Sequence, residues 1–370
     1  MVFLLFGRCE ATQARNLRAR MTPDIGLILG IDGIATGSIY VLVGLGLVLI
    51  FSVTRVIFVP FGDIVAFSAL TLAAMQLNHM PGTVYLVATL AAAACLVEIG
   101  YHLRRGQPQR IARGLLCYGV FPLIPAAIAF FTAGVALPTW AQIPLAIALV
   151  VPIGPLIERI ALRPLADASV LLLLIVSVAL TFGLSGLGLL FFGAEGFRTK
   201  PLTTEIFRFG AVIVTSQTIL MVASAAVFSL LLFLFFEHTL SGKALRATSV
   251  NRLGARIVGI RPASTATLAF LLASLLGAIS GVLIGPTTTL YYDSGFIIGL
   301  KAFVGAIIGG LTSYPGTALG ALFVGVLESF ASFYDSSLKE VVVFSVLIPV
   351  LLWRSLSLDH VDEEDAEVEG

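Results

Sequence analysis

The chain has 370 residues, of which 58% are hydrophobic and only 12% are charged, with a formal net charge of +1. Soluble proteins carry about 25% charged residues, and a soluble fold could not bury so much apolar surface. The composition therefore predicts an integral membrane protein with several helices spanning the lipid bilayer, and the near-zero net charge gives no support for a nucleic-acid partner.

The first segment of the chain, residues 1–20, differs from the apolar remainder. Its arginines come after a short apolar run, whereas a signal peptide has its basic residues before a longer apolar core. Met21 begins a stretch typical of an ordinary start. We therefore interpret residues 1–20 as an N-terminal extension, residues 21–357 as the transmembrane domain and residues 358–370 as an acidic, disordered tail.

Apolar runs long enough to cross a bilayer succeed one another along the transmembrane domain. They predict an all-α, polytopic transmembrane helix bundle of about 9–11 membrane segments, some of them short or broken. In chain order the candidates are Ile25–Phe51, Ile57–Leu77, Thr83–Gly100, Gly114–Ala136, Trp140–Ile157, Ser169–Phe192, Thr218–Phe236, Ala263–Ile284, Phe296–Gly310, Thr317–Ser332 and Leu338–Trp353.

The distribution of basic residues between the spans predicts the orientation of the bundle. Three basic loops, His102–Arg113, Glu158–Pro164 and Ser241–Arg261, fall on the same side when eleven spans are counted. Basic loops mark the cytoplasmic side, so we expect the N-terminus outside and the C-terminus in the cytoplasm. The arginines of residues 1–20 conflict with this orientation unless the chain starts at Met21.

Glycines recur at four-residue spacing within several predicted spans, for example Gly26 and Gly30, Gly33 and Gly37, or Gly305 and Gly309. Such spacing lets membrane helices approach backbone to backbone. A single pair is common by chance, but its recurrence indicates a tightly packed bundle.

The basic loop Ser241–Arg261 also has a regular pattern of small residues. They lie at helical spacing on one face, at Ala244, Ala247, Asn251, Gly254 and Ala255. This pattern predicts a helix, ending near Gly259, that offers a docking surface to a protein in the aqueous phase. The alternative is a loop that is basic only because it is cytoplasmic.

No group of residues has the spacing of a catalytic or metal site. The three cysteines and four histidines are scattered, and no phosphate-binding loop of the form Gly-x-x-x-x-Gly-Lys-Ser/Thr occurs. We therefore expect no catalytic residue, no metal ion and no cofactor, and no hydrolysis of ATP by this chain alone.

Three segments of the chain resemble the membrane subunits of branched-chain amino acid ABC importers of the Liv type, and the H-type more than the M-type. They are Ile31–Leu70, Glu158–Pro164 and Gly242–Phe330. The family's order and spacing are kept in the last of them by Gly295-Phe296, Lys301-Ala302-Phe303, Gly309-Gly310, Pro315-Gly316, Gly320 and Glu328.

Two departures from the family stand out. Where many members have Asn-Phe-Ala-His-Gly-Glu, this chain has Phe58–Asp63 and keeps only the glycine and an acid. This leaves the choice of solute open. The segment Thr83–Ala136 is longer than usual, as if a helical hairpin had been added.

The resemblance implies a permease subunit in a bacterial inner membrane. Its partners would be a second, M-type permease subunit, two cytoplasmic ABC ATPases and an extracytoplasmic substrate-binding protein. The coupling segment that contacts the ATPase would include Arg246, Ala247, Asn251, Ala255 and Gly259. Related systems carry urea or amides, and an ion-coupled secondary transporter is the main alternative.

Three ionisable residues within or beside apolar spans are candidates for the translocation path: Asp63, Lys301 and Glu328. A charged group in hydrocarbon is costly, so such residues line an aqueous path or pair with each other. A mutual ion pair is an equally good interpretation of Lys301 and Glu328. Asp63 could instead cap the start of a broken helix.

Overall fold

The computed structural model describes residues 23–104, 111–134, 137–166, 168–203, 205–209, 212–311 and 313–352. The extension predicted at residues 1–20 and the acidic tail at 358–370 lie outside these residues. Within them the chain is almost wholly helical, which confirms the predicted all-α, polytopic bundle.

The first half of the chain forms eight helices, two of which continue through irregular helical turns. A π-helical turn, Leu116–Val120, joins α4 to α5, and a second, Glu158–Leu162, extends α7. The helices are α1 (Pro23–Thr54), α2 (Phe61–Gln76), α3 (Thr83–Arg104), α4 (Ile111–Leu115), α5 (Phe121–Phe131), α6 (Thr139–Val150), α7 (Ile153–Ile157) and α8 (Val170–Phe192).

The second half begins with a short antiparallel hairpin that the sequence did not lead us to expect. The hairpin lies in the long loop between α8 and α9, with Ile206 opposite Thr215. The elements are β1 (Ile206–Phe209), β2 (Val212–Thr215), α9 (Ser216–His238), α10 (Leu240–Val250), α11 (Arg252–Ile257), α12 (Pro262–Ile284), α13 (Ser294–Gly309), α14 (Tyr314–Tyr334) and α15 (Lys339–Ser345).

Seven helices in the described part of the chain are long and apolar enough to span a membrane, and three shorter apolar helices accompany them. Ten of the predicted spans therefore have a counterpart. The eleventh, Leu338–Trp353, is interrupted at Val346. The supposed loop Glu158–Pro164 is a continuation of the helical stretch Thr139–Leu165, with Glu158 and Arg159 buried.

Helix α1 is the centre of the bundle. It packs against α14, α12, α13 and α9, while α2 packs against α12 and α13. In its most apolar window α1 is 83% buried, whereas the corresponding window of α9 is only 17% buried. The outer helices α8 and α9 therefore present apolar side chains outward, as helices in contact with lipid do.

Glycines allow α1, α13 and α14 to touch backbone to backbone. A Cβ added at Gly37 would lie 2.9 Å from the Cα of Leu322, and one at Gly309 would lie 2.2 Å from the carbonyl carbon of Gly316. The predicted close packing is confirmed for Gly33, Gly37, Gly305 and Gly309. The pair Gly26 and Gly30 has open space around it instead.

Helix α2 begins inside the bundle rather than at its end. The ring of Phe61, its first residue, lies against Gly46 of α1, eight residues before α1 ends at Thr54. The preceding loop is held at this depth because the amide of Val59 donates a hydrogen bond of 2.9 Å to the Oγ of Ser177 in α8. This non-helical entry is one of the broken segments that the sequence predicted.

Candidate functional site

Basic side chains gather at one end of the bundle, which we call the basic end. Arg163, Arg252 and Arg256 line one cavity there, together with Thr54, the last residue of α1. Arg55 and Arg246 line a groove that also includes Ser52 and Val53 of α1. Residues of the second and third predicted basic loops thus meet at the same end. His102, which belongs to the first predicted basic loop, lines the same cavity. The remainder of that loop, residues 105–110, lies outside the described residues.

The segment predicted to dock a partner is two short helices rather than one. Helix α10 ends at Val250, and Asn251 is extended, with a φ of −147°. The Asn251 side chain then accepts a hydrogen bond of 2.8 Å from the amide of Gly254, so it caps the start of α11. The break occurs because Asn favours capping over the interior of a helix.

Both ends of this two-helix unit are fixed by local contacts. Thr239 caps α10 by accepting a hydrogen bond of 2.9 Å from the amide of Gly242. After α11, Gly259 has a φ of +86°, and Pro262 begins α12. A left-handed glycine with a proline soon after it ends one helix and starts the next, as the sequence predicted.

The five candidate docking residues do not share one exposed face. Arg246, Ala247, Asn251 and Gly259 are exposed, whereas Ala255 is 3% exposed. The small-residue stripe is therefore interrupted by the bend at Asn251 and partly buried against the bundle. Arg246 lies 3.2 Å from Glu237 in an exposed ion pair.

A set of exposed apolar side chains on the same unit was not predicted from the sequence. Val250 and Ile257 are about four-fifths exposed, and Leu253 and Val258 are also mostly exposed. Their spacing in an otherwise polar loop could have revealed them. Exposed apolar side chains beside arginines are typical of a protein-binding surface. We call Val250, Leu253, Ile257 and Val258 the apolar quartet.

Two of the three candidate path residues are bonded to each other. The Nζ of Lys301 on α13 lies 2.5 Å from the Oε1 of Glu328 on α14. The other carboxylate oxygen of Glu328 accepts a hydrogen bond of 2.6 Å from the hydroxyl of Tyr40 on α1. These contacts join three central helices, and Lys301 is only 4% exposed.

Asp63 lies apart from this ion pair. It is fully buried in the first turn of α2, and neither carboxylate oxygen has a hydrogen-bond partner among the described residues. Its side chain does not cap α2, contrary to one of our interpretations. The backbone of the first turn of α13 lies beside it, because a Cβ added at Gly295 would be 2.7 Å from the Cα of Asp63.

A second buried ionic cluster joins the end of the predicted span Thr83–Gly100 to the predicted loop Glu158–Pro164. The sequence analysis did not identify this cluster. Glu98 on α3 bonds Arg159, whose Nε lies 2.6 Å from one carboxylate oxygen, and His102 lies 2.9 Å from the other. Glu158 accepts a hydrogen bond of 3.0 Å from Thr267 on α12. These contacts fasten α3 to the stretch after α7 and to α12.

Comparison with known proteins identifies the family. Residues 30–351 match the profile of the branched-chain amino acid transport system permease component. The chain belongs to this family. The match includes every candidate residue of this permease, from Asp63 to Glu328. No solved structure gave a significant match.

The curated relatives of this permease are membrane subunits of the same kind. BraD of Pseudomonas aeruginosa, a high-affinity branched-chain amino acid transport system permease protein, is 32% identical over 211 residues, which cover 54% of this chain and 68% of BraD. LivH of Escherichia coli is 31% identical over 204 residues, or 53% and 66% of the two chains. A probable LivH of Methanocaldococcus jannaschii is 27% identical over 228 residues, or 56% and 70%. The aligned region thus spans about two thirds of each relative's own length.

Proposed function

We propose that this permease forms one half of the translocation path of an ABC importer for amino acids, branched-chain ones first. Two cytoplasmic ATPases would drive it, an M-type permease would be its other half, and an extracytoplasmic protein would deliver the solute. The N-terminus would lie outside and the C-terminus in the cytoplasm. The observation that carries the proposal is the exposed apolar quartet on a rigid two-helix unit at the basic end.

The two-helix unit suits the transmission of force because some of its side chains are buried against the bundle while others are exposed. Leu245 and Thr248 of α10 are fully buried, and Ala255 of α11 is nearly so. Gly242 lies so close to α9 that an added Cβ would be 2.2 Å from the carbonyl oxygen of Phe235. A partner that pushed on the quartet would therefore move α9, α10 and α12 together.

Charge supports a protein partner at the same surface. Arg246 and Arg261 are exposed, and Arg261 has no acidic group within ion-pair distance in the described part of the chain. An acidic rim on an ATPase would complement these arginines and speed its association. Because the permease has no phosphate-binding loop of its own, the nucleotide would be bound by that partner.

Asp63 is the stronger of the candidate contacts with the solute. Lys301 and Glu328 satisfy each other, so their burial is explained without a solute. Asp63 has no such explanation, and an unpaired acid at membrane depth is a functional candidate by default. In an open state it would be able to attract the ammonium group of an amino acid.

Copurification with the ATPase tests the docking surface. We expect Val250→Glu combined with Ile257→Glu, and separately Ala247→Glu, to abolish copurification of the ATPase, because each places a carboxylate in a desolvated apolar contact. The matched control is Thr203→Glu, which adds the same charge at an exposed position in the loop between α8 and α9. Normal ATPase binding by the Val250 and Ile257 double variant would refute the assignment.

Uptake measurements test the source of energy. The assembled complex should accumulate leucine in proteoliposomes only when ATP is supplied, and an uncoupler should leave the initial rate unchanged. Collapse of uptake on addition of the uncoupler would favour an ion-coupled transporter instead.

A further inference from the structure

We propose that the basic end holds a binding site for the headgroup of an anionic glycerophospholipid, separate from the apolar quartet. The site is a cavity of about 770 Å³ at the place where several helices end. That volume is within the range of small-molecule sites, about 300–1,000 Å³. Its walls come from α3, α8, α11, α12 and the helical turns after α7.

The charge of the cavity favours an anion. Four arginines, Arg159, Arg163, Arg252 and Arg256, line it against two acids, Glu98 and Glu158, which leaves an excess of two positive charges before His102 is counted. The acids are already engaged. Glu98 bonds both Arg159 and His102, and Glu158 accepts from Thr267.

Two guanidinium groups in this cavity, those of Arg252 and Arg256, have no ion-pair partner in the described part of the chain. Arg163 donates a hydrogen bond of 3.1 Å to the hydroxyl of Tyr118 and is also attracted by the carboxylate of Glu158. A phosphate group offers the acceptor oxygens that such guanidinium groups bind most strongly.

The remaining lining points to a lipid rather than to a free anion. Apolar residues of α3, α8 and α12, namely Val97, Leu173 and Phe270, form part of the wall. The same α3 and α8 carry exposed Leu96 and Leu171, which face outward as lipid-contacting side chains do. A phosphate in the cavity could thus keep its acyl chains along α3 and α8, and basic pockets between membrane helices are known to suit such headgroups.

Helix α11 shows that this site differs from the protein-docking surface. Arg252 and Arg256 are four residues apart and line the cavity, while Leu253 and Ile257, also four apart, form a separate exposed stripe. One stripe would bind lipid and the other the ATPase. A lipid held there would brace α11 against the bundle.

Lipid titration of the assembled, delipidated complex tests the proposal, with bound lipid counted by native mass spectrometry. We expect phosphatidylglycerol to bind at least tenfold more tightly than phosphatidylcholine with the same acyl chains. Arg256→Gln should weaken phosphatidylglycerol about fivefold, and Arg163→Gln with Arg256→Gln about twentyfold or more, at roughly one charge contact each. Arg256 is exposed, so its single variant should fold normally.

The matched control is Lys243→Gln, which removes the same charge from the same end but outside the cavity. It should leave phosphatidylglycerol binding unchanged. Equal affinity for the two lipids, or an equal loss in the control, would overturn the proposal. Competition by millimolar inorganic phosphate would identify a free anion as the ligand instead. A several-fold gain in lipid affinity on deletion of residues 359–370 would identify the acidic tail as the occupant, which also overturns it.

Discussion

The Lys301–Glu328 ion pair allows the sharpest test of what holds the centre of the bundle together. Replacing Glu328 with Gln removes the charge that neutralises a 4% exposed Lys301, while the shape of the side chain stays the same. Breaking a buried pair by removing one partner costs about 3–5 kcal/mol, because the other charge stays buried without compensation. We expect the free energy of unfolding to fall by about that amount.

Two further variants separate the ion pair from the hydrogen bond of Tyr40. Tyr40→Phe removes only the 2.6 Å bond to the second carboxylate oxygen of Glu328 and should cost about 1.5–3 kcal/mol, as bonds to charged groups do. The double variant Lys301→Met with Glu328→Gln leaves no uncompensated charge. It should therefore be more stable than Glu328→Gln alone.

Unfolding of the purified permease in mixed micelles by increasing sodium dodecyl sulfate, monitored by tryptophan fluorescence and circular dichroism, would measure these differences. The double-mutant cycle should show a coupling energy of about 2–3 kcal/mol between Lys301 and Glu328. If the stability lost by the double variant equalled the sum of the losses of Lys301→Met alone and Glu328→Gln alone, the two residues would act independently. The pair would then not be the element that joins α13 to α14.

Three other changes have clear expected outcomes. Gly309→Ala should lower the free energy of unfolding by about 1–3 kcal/mol in the same assay, since its Cβ would lie 2.2 Å from Gly316. The control Gly26→Ala should not destabilise, because a Cβ at Gly26 would have nothing within 4 Å. Equal losses in the two variants would contradict this reasoning. Asn251→Ala should remove the cap of α11 and cost about 1 kcal/mol locally, which would be seen as faster hydrogen exchange of the α11 amides. Asn251→Asp should keep these amides protected, because aspartate also caps helices. Slow exchange in the Ala variant would count against the cap. Asp63→Asn should keep the stability of the fold and yet reduce leucine uptake by the complex, and unchanged uptake would remove Asp63 from the path.

The sequence predicted the helical nature of the fold and ten of its spans because both arise from local properties. The length of an apolar run determines whether a segment can span the bilayer, and the spacing of glycines determines which helices can touch each other. It failed where a distant partner decides the outcome. Arg159 was assigned to a loop because arginine is costly in a span, but Glu98, sixty-one residues away in sequence, neutralises it.

The sequence predicted that the segment after α9 is helical and ends near Gly259, but it did not predict the bend at Asn251. The bend at Asn251 changes which side chains are free, so Ala255 is buried and the apolar quartet is exposed. A helical projection of the whole segment assumes one continuous axis and cannot show this. From the sequence, an ion pair between Lys301 and Glu328 was one of two equal interpretations. The packing of α13 on α14 brings the two side chains together and decides in favour of the pair.

The described contacts offer a short route between the proposed docking surface and Asp63. The Nη2 of Arg55 donates a hydrogen bond of 3.1 Å to the carbonyl of Ser249, next to the quartet. Arg55 itself has a φ of +60°, an uncommon conformation for a residue with a side chain, and it begins the loop that leads into α2 and Asp63. A displacement of α10 would reach the first turn of α2 through this loop as well as through α12, which packs against both α10 and α2. A loop of this kind beside a closely packed core would suit the proposed coupling to an ATPase at the basic end.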